Sequence, residues 1–123
     1  MESIDVKVIV KKDIPEEQIE QFEDRSVYFT AMLTREYTKG ANAYPRRTGE
    51  LFRQEVRAPI RKLDNASYGL LRGTEYAKYV YQMTNVRWTN PSTKPQWYST
   101  IYRQREKSIV EMAQERALKE LEQ

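Results

Sequence analysis

The 123-residue sequence contains neither cysteine nor histidine. Without cysteine the chain can form no disulfide, thiolate nucleophile, zinc–thiolate site or iron–sulfur cluster. Without histidine it lacks the commonest general base and the commonest metal ligand in proteins. We therefore expect no enzyme: no catalytic residue, no cofactor-binding residue and no metal site. The composition favours a binding or structural module.

Long hydrophobic runs are missing as well, since no apolar run approaches the roughly 18 residues of a membrane span. The first five residues lack the basic and apolar regions of a signal peptide. We expect a soluble protein that has no membrane partner and needs no oxidising compartment. The 9 Tyr, 3 Phe and 2 Trp can still build one small core. The length predicts a single domain over residues 1–123.

The net charge of +3 is the balance of three unequal blocks. Residues 1–45 hold six basic and nine acidic residues, residues 46–107 hold thirteen and five, and residues 108–123 hold two and four. A basic middle between acidic flanks is compatible with a nucleic-acid patch or with subunits that meet head to tail. It is also compatible with ordinary surface coverage.

The first third of the chain predicts a strand followed by a long helix. Apolar and polar residues alternate over Ile4–Val10, as in a half-buried strand. Asp13 and Glu16 have capping-box spacing with Pro15 between them, which predicts a helix start. The helix should run to about Lys39, and its apolar stripe, interrupted by Ser26, comprises Ile19, Phe22, Phe29, Met32 and Leu33. Gly40 would then provide the C-terminal cap.

The basic middle predicts an antiparallel hairpin. A weak first strand is expected over Gln54–Arg57. Pro59 limits any strand there to an edge or an end of the sheet. Lys62–Asn65 is typical of a turn, and Ser67–Arg72 predicts the second strand.

The last third predicts a short helix, a loop and a long helix. Tyr76, Tyr79, Val80 and Met83 have helical spacing. The polar segment 85–94 should be an exposed loop, in which Trp88 is unusual. The spacing of Thr93 and Gln96 around Pro95 predicts the start of a helix over about 95–121. Its sparse apolar stripe comprises Trp97, Ile101, Ile109, Met112, Ala113, Ala117 and Leu121. We expect this helix to be exposed, frayed or dependent on a partner.

These elements predict an α+β fold, with a small antiparallel sheet packed by a long N-terminal helix, a short central helix and a long C-terminal helix. Two functions fit the residue types of the basic middle block. A small basic nucleic-acid-binding protein would use the cations of the middle block, which are Arg46, Arg47, Arg53, Arg57, Arg61, Lys62 and Arg72, with Phe52, Tyr68 and Tyr76 stacking on bases. A histidine-free ribonuclease toxin would use Glu50, Glu55, Arg57 and Tyr68.

Three motifs occur in a characteristic order. Pro45–Leu51 reads Pro-x-x-Thr-Gly-x-Leu, Tyr76–Val80 reads Tyr-Ala-x-Tyr-hydrophobic, and Pro95–Trp97 reads Pro-x-aromatic. In this order the chain, over about residues 14–121, resembles the tail-completion or head–tail joining proteins of tailed phages and the related phage minor capsid proteins. It departs from that pattern at Met83-Thr84-Asn85, where the short helix often ends in Gly-Thr, and in having the strand Ile4–Val10.

The resemblance implies a structural virion protein of the neck region, assembled in the host cytoplasm and without catalysis. It implies a ring of subunits that contacts adjacent head-completion or portal proteins and tail proteins, with DNA passing non-specifically through the lumen. The implied motif and core residues are Pro45, Thr48, Gly49, Leu51, Tyr76, Ala77, Tyr79, Val80 and Trp97. The candidate interface residues are Arg46, Arg47, Arg53, Arg57, Arg61, Lys62 and Trp88.

Overall fold

The computed structural model describes residues 14–45, 49–58, 60–64, 67–70, 81–83, 88 and 90–122. Its helices are α1 (Glu16–Gly40), α2 (Glu50–Arg57) and α3 (Trp97–Leu121), and its strands are β1 (Arg61–Asp64) and β2 (Ser67–Gly69). The α+β class with long terminal helices is confirmed. The predicted strand Ile4–Val10 lies outside the described residues, as does the predicted short helix except for Tyr81, which is helical, and Met83.

Helix α1 has about the predicted extent, but different residues cap its two ends. Its N-cap residue is Pro15, with no side-chain capping hydrogen bond, and Asp13 lies outside the described residues. At the C-terminal end the amide of Asn42 donates to the Lys39 carbonyl (3.0 Å) and the amide of Ala43 donates to the Thr38 carbonyl (3.1 Å). Asn42 has φ 55°, so this is a Schellman motif with asparagine in the left-handed position. The prediction that Gly40 caps the helix is therefore wrong.

The buried face of α1 is more polar than the predicted stripe. Phe22 and Leu33 are buried as expected, whereas Ile19, Phe29 and Met32 are only partly buried. Ser26 does not interrupt the buried face but belongs to it, together with Thr30, Thr34 and Thr38. Each threonine hydroxyl donates to the carbonyl four residues earlier, over 2.7–2.8 Å. Intrahelical bonding of this kind satisfies the three buried threonine hydroxyls without a partner from another element.

Helices α1 and α3 pack antiparallel. Arg25 Nε lies 2.8 Å from Glu120 Oε1 near one end of the pair, and the Tyr37 hydroxyl lies 3.5 Å from Met112 Sδ further along it. The C-terminal half of α3 buries Ile109, Ala113 and Ala117. The expectation of an exposed or frayed C-terminal helix is wrong, because one side of its last turns is buried against α1, and Ala113 and Ala117 are small enough to let the two helices lie close together.

Residues 54–57 form the end of helix α2 and not a strand. Leu51 and Glu55, four residues apart, are buried, and their neighbours Phe52 and Val56 are partly buried. A spacing of three and four residues is the period of a helix, so the predicted strand over Gln54–Arg57 is wrong. The first strand of the hairpin, β1, consequently comes later and occupies most of the segment predicted as a turn.

The hairpin packs on α1 through its second strand. β1 and β2 are antiparallel, with Lys62 opposite Tyr68 and an irregular register between Lys62 and Asp64. All four residues of β1 are exposed, and Leu63 is a large apolar side chain with 44 % exposure. Tyr68 of β2 is buried. The two-stranded sheet thus packs on α1 through β2, and its outer strand β1 faces solvent.

An aromatic cluster forms the other part of the core. Tyr81 and Trp97 meet edge to face with ring centroids 4.6 Å apart, and Tyr44 and Tyr98 do so at 5.7 Å. Segment 90–94 is docked beside this cluster, since Thr93 Oγ1 donates to the Tyr44 carbonyl over 3.2 Å. Thr93 therefore does not cap α3 as predicted. The N-cap residue of α3 is Gln96, at φ 44° and without a side-chain capping bond.

Candidate functional site

The predicted interface cations lie on two exposed elements. Arg53 and Arg57 are exposed and four residues apart, which places them on the same outward side of α2. Arg61 and Lys62 are exposed on β1. Lys62 Nζ lies 3.4 Å from Asp24 Oδ1, so this cation contacts a carboxylate of its own chain. These residues form a basic surface on α2 and β1.

Asp24 links the basic surface to the core. Its Oδ2 accepts a hydrogen bond of 2.7 Å from the Tyr68 hydroxyl, while its Oδ1 faces Lys62. Burial raises the pKa of Tyr68 to about 12, and the bond to Asp24 adds to this because ionisation would place two anions together. The hairpin is thus held on α1 by a buried phenol–carboxylate contact.

Few aromatic rings are available for base stacking next to these cations. Tyr68 is buried, and Phe52 is partly buried with its ring edge-on to Tyr44 at 5.5 Å. Arg72 and Tyr76 lie outside the described residues. The described part of the basic surface therefore offers phosphate-binding groups without a free aromatic ring from the predicted set.

The residues considered for a ribonuclease do not share an exposed site. Glu55 and Tyr68 are both buried, with hydroxyl or carboxylate partners on different elements, whereas Arg57 is exposed. A nuclease site needs groups that reach a phosphodiester together. Nothing is described of the Glu50 side chain.

A buried polar chain connects α2 to the aromatic cluster. The Tyr98 hydroxyl donates to Glu55 Oε1 over 2.9 Å, and the Tyr44 hydroxyl donates to the Tyr98 oxygen over 3.1 Å. All three side chains are completely buried. Burial raises the pKa of both tyrosines well above the usual value. Neutral phenols at such positions act as hydrogen-bond donors. These hydrogen bonds therefore fix α2, α3 and the segment around Tyr44 relative to one another.

Of the motif residues implied by the resemblance, some lie in the core and others are not described. Leu51 and Trp97 are buried, Pro45 is partly buried, and Gly49 has φ 78° as the N-cap residue of α2. Glycine tolerates this left-handed conformation without a Cβ clash. The remaining candidates lie outside the described residues, and they are Arg46, Arg47, Thr48, Tyr76, Ala77, Tyr79 and Val80. Trp88 is partly buried and packs against the core of its own chain.

Sequence reasoning missed Glu55, Tyr44 and Asp24 as organising residues. The i, i+4 pairs of α2 would have placed Glu55 on the buried side of a helix. No sequence signal pairs Tyr44 with Tyr98 or Asp24 with Tyr68, because both contacts join distant parts of the chain.

In the part of the chain that the structure describes, no group of three or more acidic side chains is arranged to hold a metal ion. Within the same residues, no helix combines the length and apolar character needed to cross a bilayer. Comparison of the chain with protein-family profiles, with curated proteins and with solved structures finds no match.

Proposed function

We propose that this chain is a structural virion protein of the neck of a tailed phage, where it joins head and tail or completes the tail, and that it performs no catalysis. The observation that carries the proposal is the order and spacing of the three motifs at Pro45–Leu51, Tyr76–Val80 and Pro95–Trp97. The absence of cysteine and histidine agrees with a protein that works by packing against copies and neighbours.

The described motif residues support this proposal by their positions. Gly49 supplies the left-handed residue ahead of α2, and Leu51 and Trp97 are anchored in the core. Such a framework leaves Arg53, Arg57 and Arg61 exposed for contacts with other subunits. In the proposed setting the chain forms a ring with itself, contacts adjacent head-completion or portal proteins and tail proteins, and is located in the virion.

The test is deletion of the gene from the phage genome that encodes it. Electron microscopy of the lysate should show filled heads and separate tails in place of joined particles, and the wild-type gene supplied from a plasmid should restore joining. Mass spectrometry of purified wild-type virions should detect the chain. Normal tailed, infectious particles from the deletion, or virions without the chain, would refute the proposal.

A second function, non-specific binding of nucleic acid, is favoured by the exposed cations of the basic surface. Binding through phosphate contacts should weaken steeply as the salt concentration rises. Replacing Arg57, Arg61 and Lys62 together by Ala should abolish it, whereas Lys119→Ala, an exposed cation on α3, should not. Unchanged duplex binding by the triple variant would exclude this surface as the site.

A further inference from the structure

Helix α3 contains a segment whose side chains are all exposed. Residues 103–108, here called the bridge, are six consecutive exposed residues between the buried Tyr102 and Ile109. Six residues exceed the 3.6 of one helical turn, so every side of the helix faces solvent there. The backbone leaves helical geometry inside the bridge, at Arg105 (φ −123°, ψ 17°). A stretch of helix that buries none of its own side chains is available for contacts with other molecules.

The bridge is cationic. It carries Arg103, Arg105 and Lys107 against one carboxylate, Glu106. Arg105 places its guanidinium 5.8 Å from the centre of the Tyr37 ring, so this charge is partly held by its own chain. Arg103 and Lys107, on either side of Arg105, are both exposed.

The opposite end of the helix pair is acidic. Residues 16–25 hold five carboxylates and one guanidinium, and that guanidinium, Arg25, is paired with Glu120 of α3. Glu16 and Glu17 in the first turn of α1 and Glu122 after the last turn of α3 are exposed. Because the two helices are antiparallel, the start of α1 and the end of α3 lie toward the same end of the pair, where Lys62 contacts Asp24.

The cations of the bridge and the carboxylates at the start of α1 and the end of α3 are too far apart to neutralise each other within one molecule. Fifteen residues separate Lys107 from Glu122 along α3, which is about 22 Å at 1.5 Å per residue and more than twice the screening length of about 8 Å at physiological salt. Each copy therefore presents an acidic end and a distant basic segment that are complementary to one another.

We propose that the acidic end of one copy docks on the bridge of the next copy. The contact is heterologous, because different surfaces of the two copies meet, and repetition of such a contact produces a closed ring or an open filament. It rests on the proposed neck function for its biological setting and names the surfaces through which subunits would join. Charge complementarity of this kind acts mainly on association rate and specificity and weakens with salt.

The experiment is a charge swap on the purified full-length chain, followed by sedimentation velocity over a concentration series. The wild type should associate at about 0.02 M salt and dissociate at about 0.5 M. The variant Arg103→Glu/Lys107→Glu and the variant Glu16→Lys/Glu17→Lys should each associate at least about tenfold more weakly. An equal mixture of the two variants should associate again, because each supplies the unchanged partner of the other's altered surface.

Lys94→Glu, which reverses an exposed cation outside both surfaces, is the matched control and should associate like the wild type. The neutral variant Arg103→Gln/Lys107→Gln should also be weakened, which guards against an effect of misfolding by like charges. A wild type that is monomeric at low salt, association that ignores the reversals, or a mixture that stays monomeric would overturn the contact. Binding of duplex DNA at the bridge by a protein that remains monomeric would also overturn it.

The failure of this contact is distinguishable from failure of the neck proposal. A monomeric chain whose deletion still separates heads from tails would refute the contact and leave the neck function standing. A chain that associates through the bridge but whose deletion yields normal phage would refute the neck function and leave the contact standing.

Discussion

Tyr98 donates a hydrogen bond of 2.9 Å to Oε1 of Glu55, and both side chains are completely buried. This contact joins α3 to α2, and the Tyr44 hydroxyl extends it by donating to Tyr98. A carboxyl group inside the core is costly unless hydrogen bonds satisfy it. The position of α2 is therefore tied to a polar contact as well as to its apolar side chains.

Replacing Tyr98 by Phe should lower the free energy of unfolding by about 1–3 kcal/mol, because Glu55 loses a buried donor and Tyr44 loses its acceptor. Urea denaturation measures the change. The control is Tyr102→Phe, which removes a hydroxyl bonded to the exposed Glu106 and should cost less than about 1 kcal/mol. Equal losses in the two variants would show that the contact with Glu55 contributes nothing special.

The same substitution should have opposite effects at two glycines. Gly49→Ala forces a Cβ into a backbone with φ 78° and to 3.2 Å from Arg53 Nη1, and it should destabilise the chain by about 1–2 kcal/mol. Gly40→Ala meets nothing within 4 Å at the end of α1 and should stabilise by about 0.4–1 kcal/mol. Thermal unfolding of the two variants side by side gives the signs. A gain at Gly49 would contradict the left-handed conformation.

Thr34 should tolerate a change of polarity better than a change of size. In Thr34→Val the carbonyl of Thr30 keeps its helical amide bond and loses only the extra hydroxyl, so stability should change by less than about 1 kcal/mol. Thr34→Leu overfills a completely buried position and should cost about 1–3 kcal/mol. Chemical denaturation distinguishes the two, and a larger loss for valine would mean that the hydroxyl has a second role.

Stability should fall as the pH rises above about 10. Burial raises the pKa of Tyr68 and of Tyr102 to about 12, and those of Tyr44 and Tyr98 are raised as well. The unfolded chain loses phenolic protons near pH 10, whereas the folded chain keeps them, so the stabilisation is complete below pH 10 and is lost as the pH climbs through about 12. Tm measured from pH 8 to 12, with phenolate absorbance recorded in parallel, tests this.

The Tyr68→Phe variant is the control for that titration. Its Tm should decline less steeply above pH 10 than that of the wild type, because one shifted phenol is gone. Phenolate absorbance that rises fully near pH 10 while the protein is still folded would contradict the raised pKa values.

Both long helices were predictable because the spacing and start signals of a helix lie within a short stretch of sequence. The apolar periodicity and the proline-containing starts place Glu16–Gly40 and Trp97–Leu121 within two residues of their observed bounds. The hairpin was predicted in kind but displaced, since a strand of three or four residues has almost no period to detect. For α2 the four-residue spacing of Leu51 and Glu55 favours a helix, although a strand was expected there.

The candidate surfaces were less predictable. The exposed cations of α2 and β1 follow from composition, since charged side chains stay in water unless paired. Residues 103–108 are a run of six polar residues in the sequence, but only the structure shows that the backbone leaves helical geometry at Arg105 within that run. The docking of Trp88 against the core was equally hidden in a polar segment.

By itself the sequence determined which chemistry is missing, where the long helices lie and that the charge is arranged in three blocks, all of which are properties of composition and local spacing. Only the tertiary structure decided that Tyr68 is bonded to Asp24, that Tyr44, Tyr98 and Glu55 are linked by buried hydrogen bonds, and that Arg25 of α1 pairs with Glu120 of α3. Those relationships join residues far apart in the chain. They are set by the antiparallel packing of α1 on α3, which balances burial over the whole molecule and leaves no trace in any short stretch of sequence.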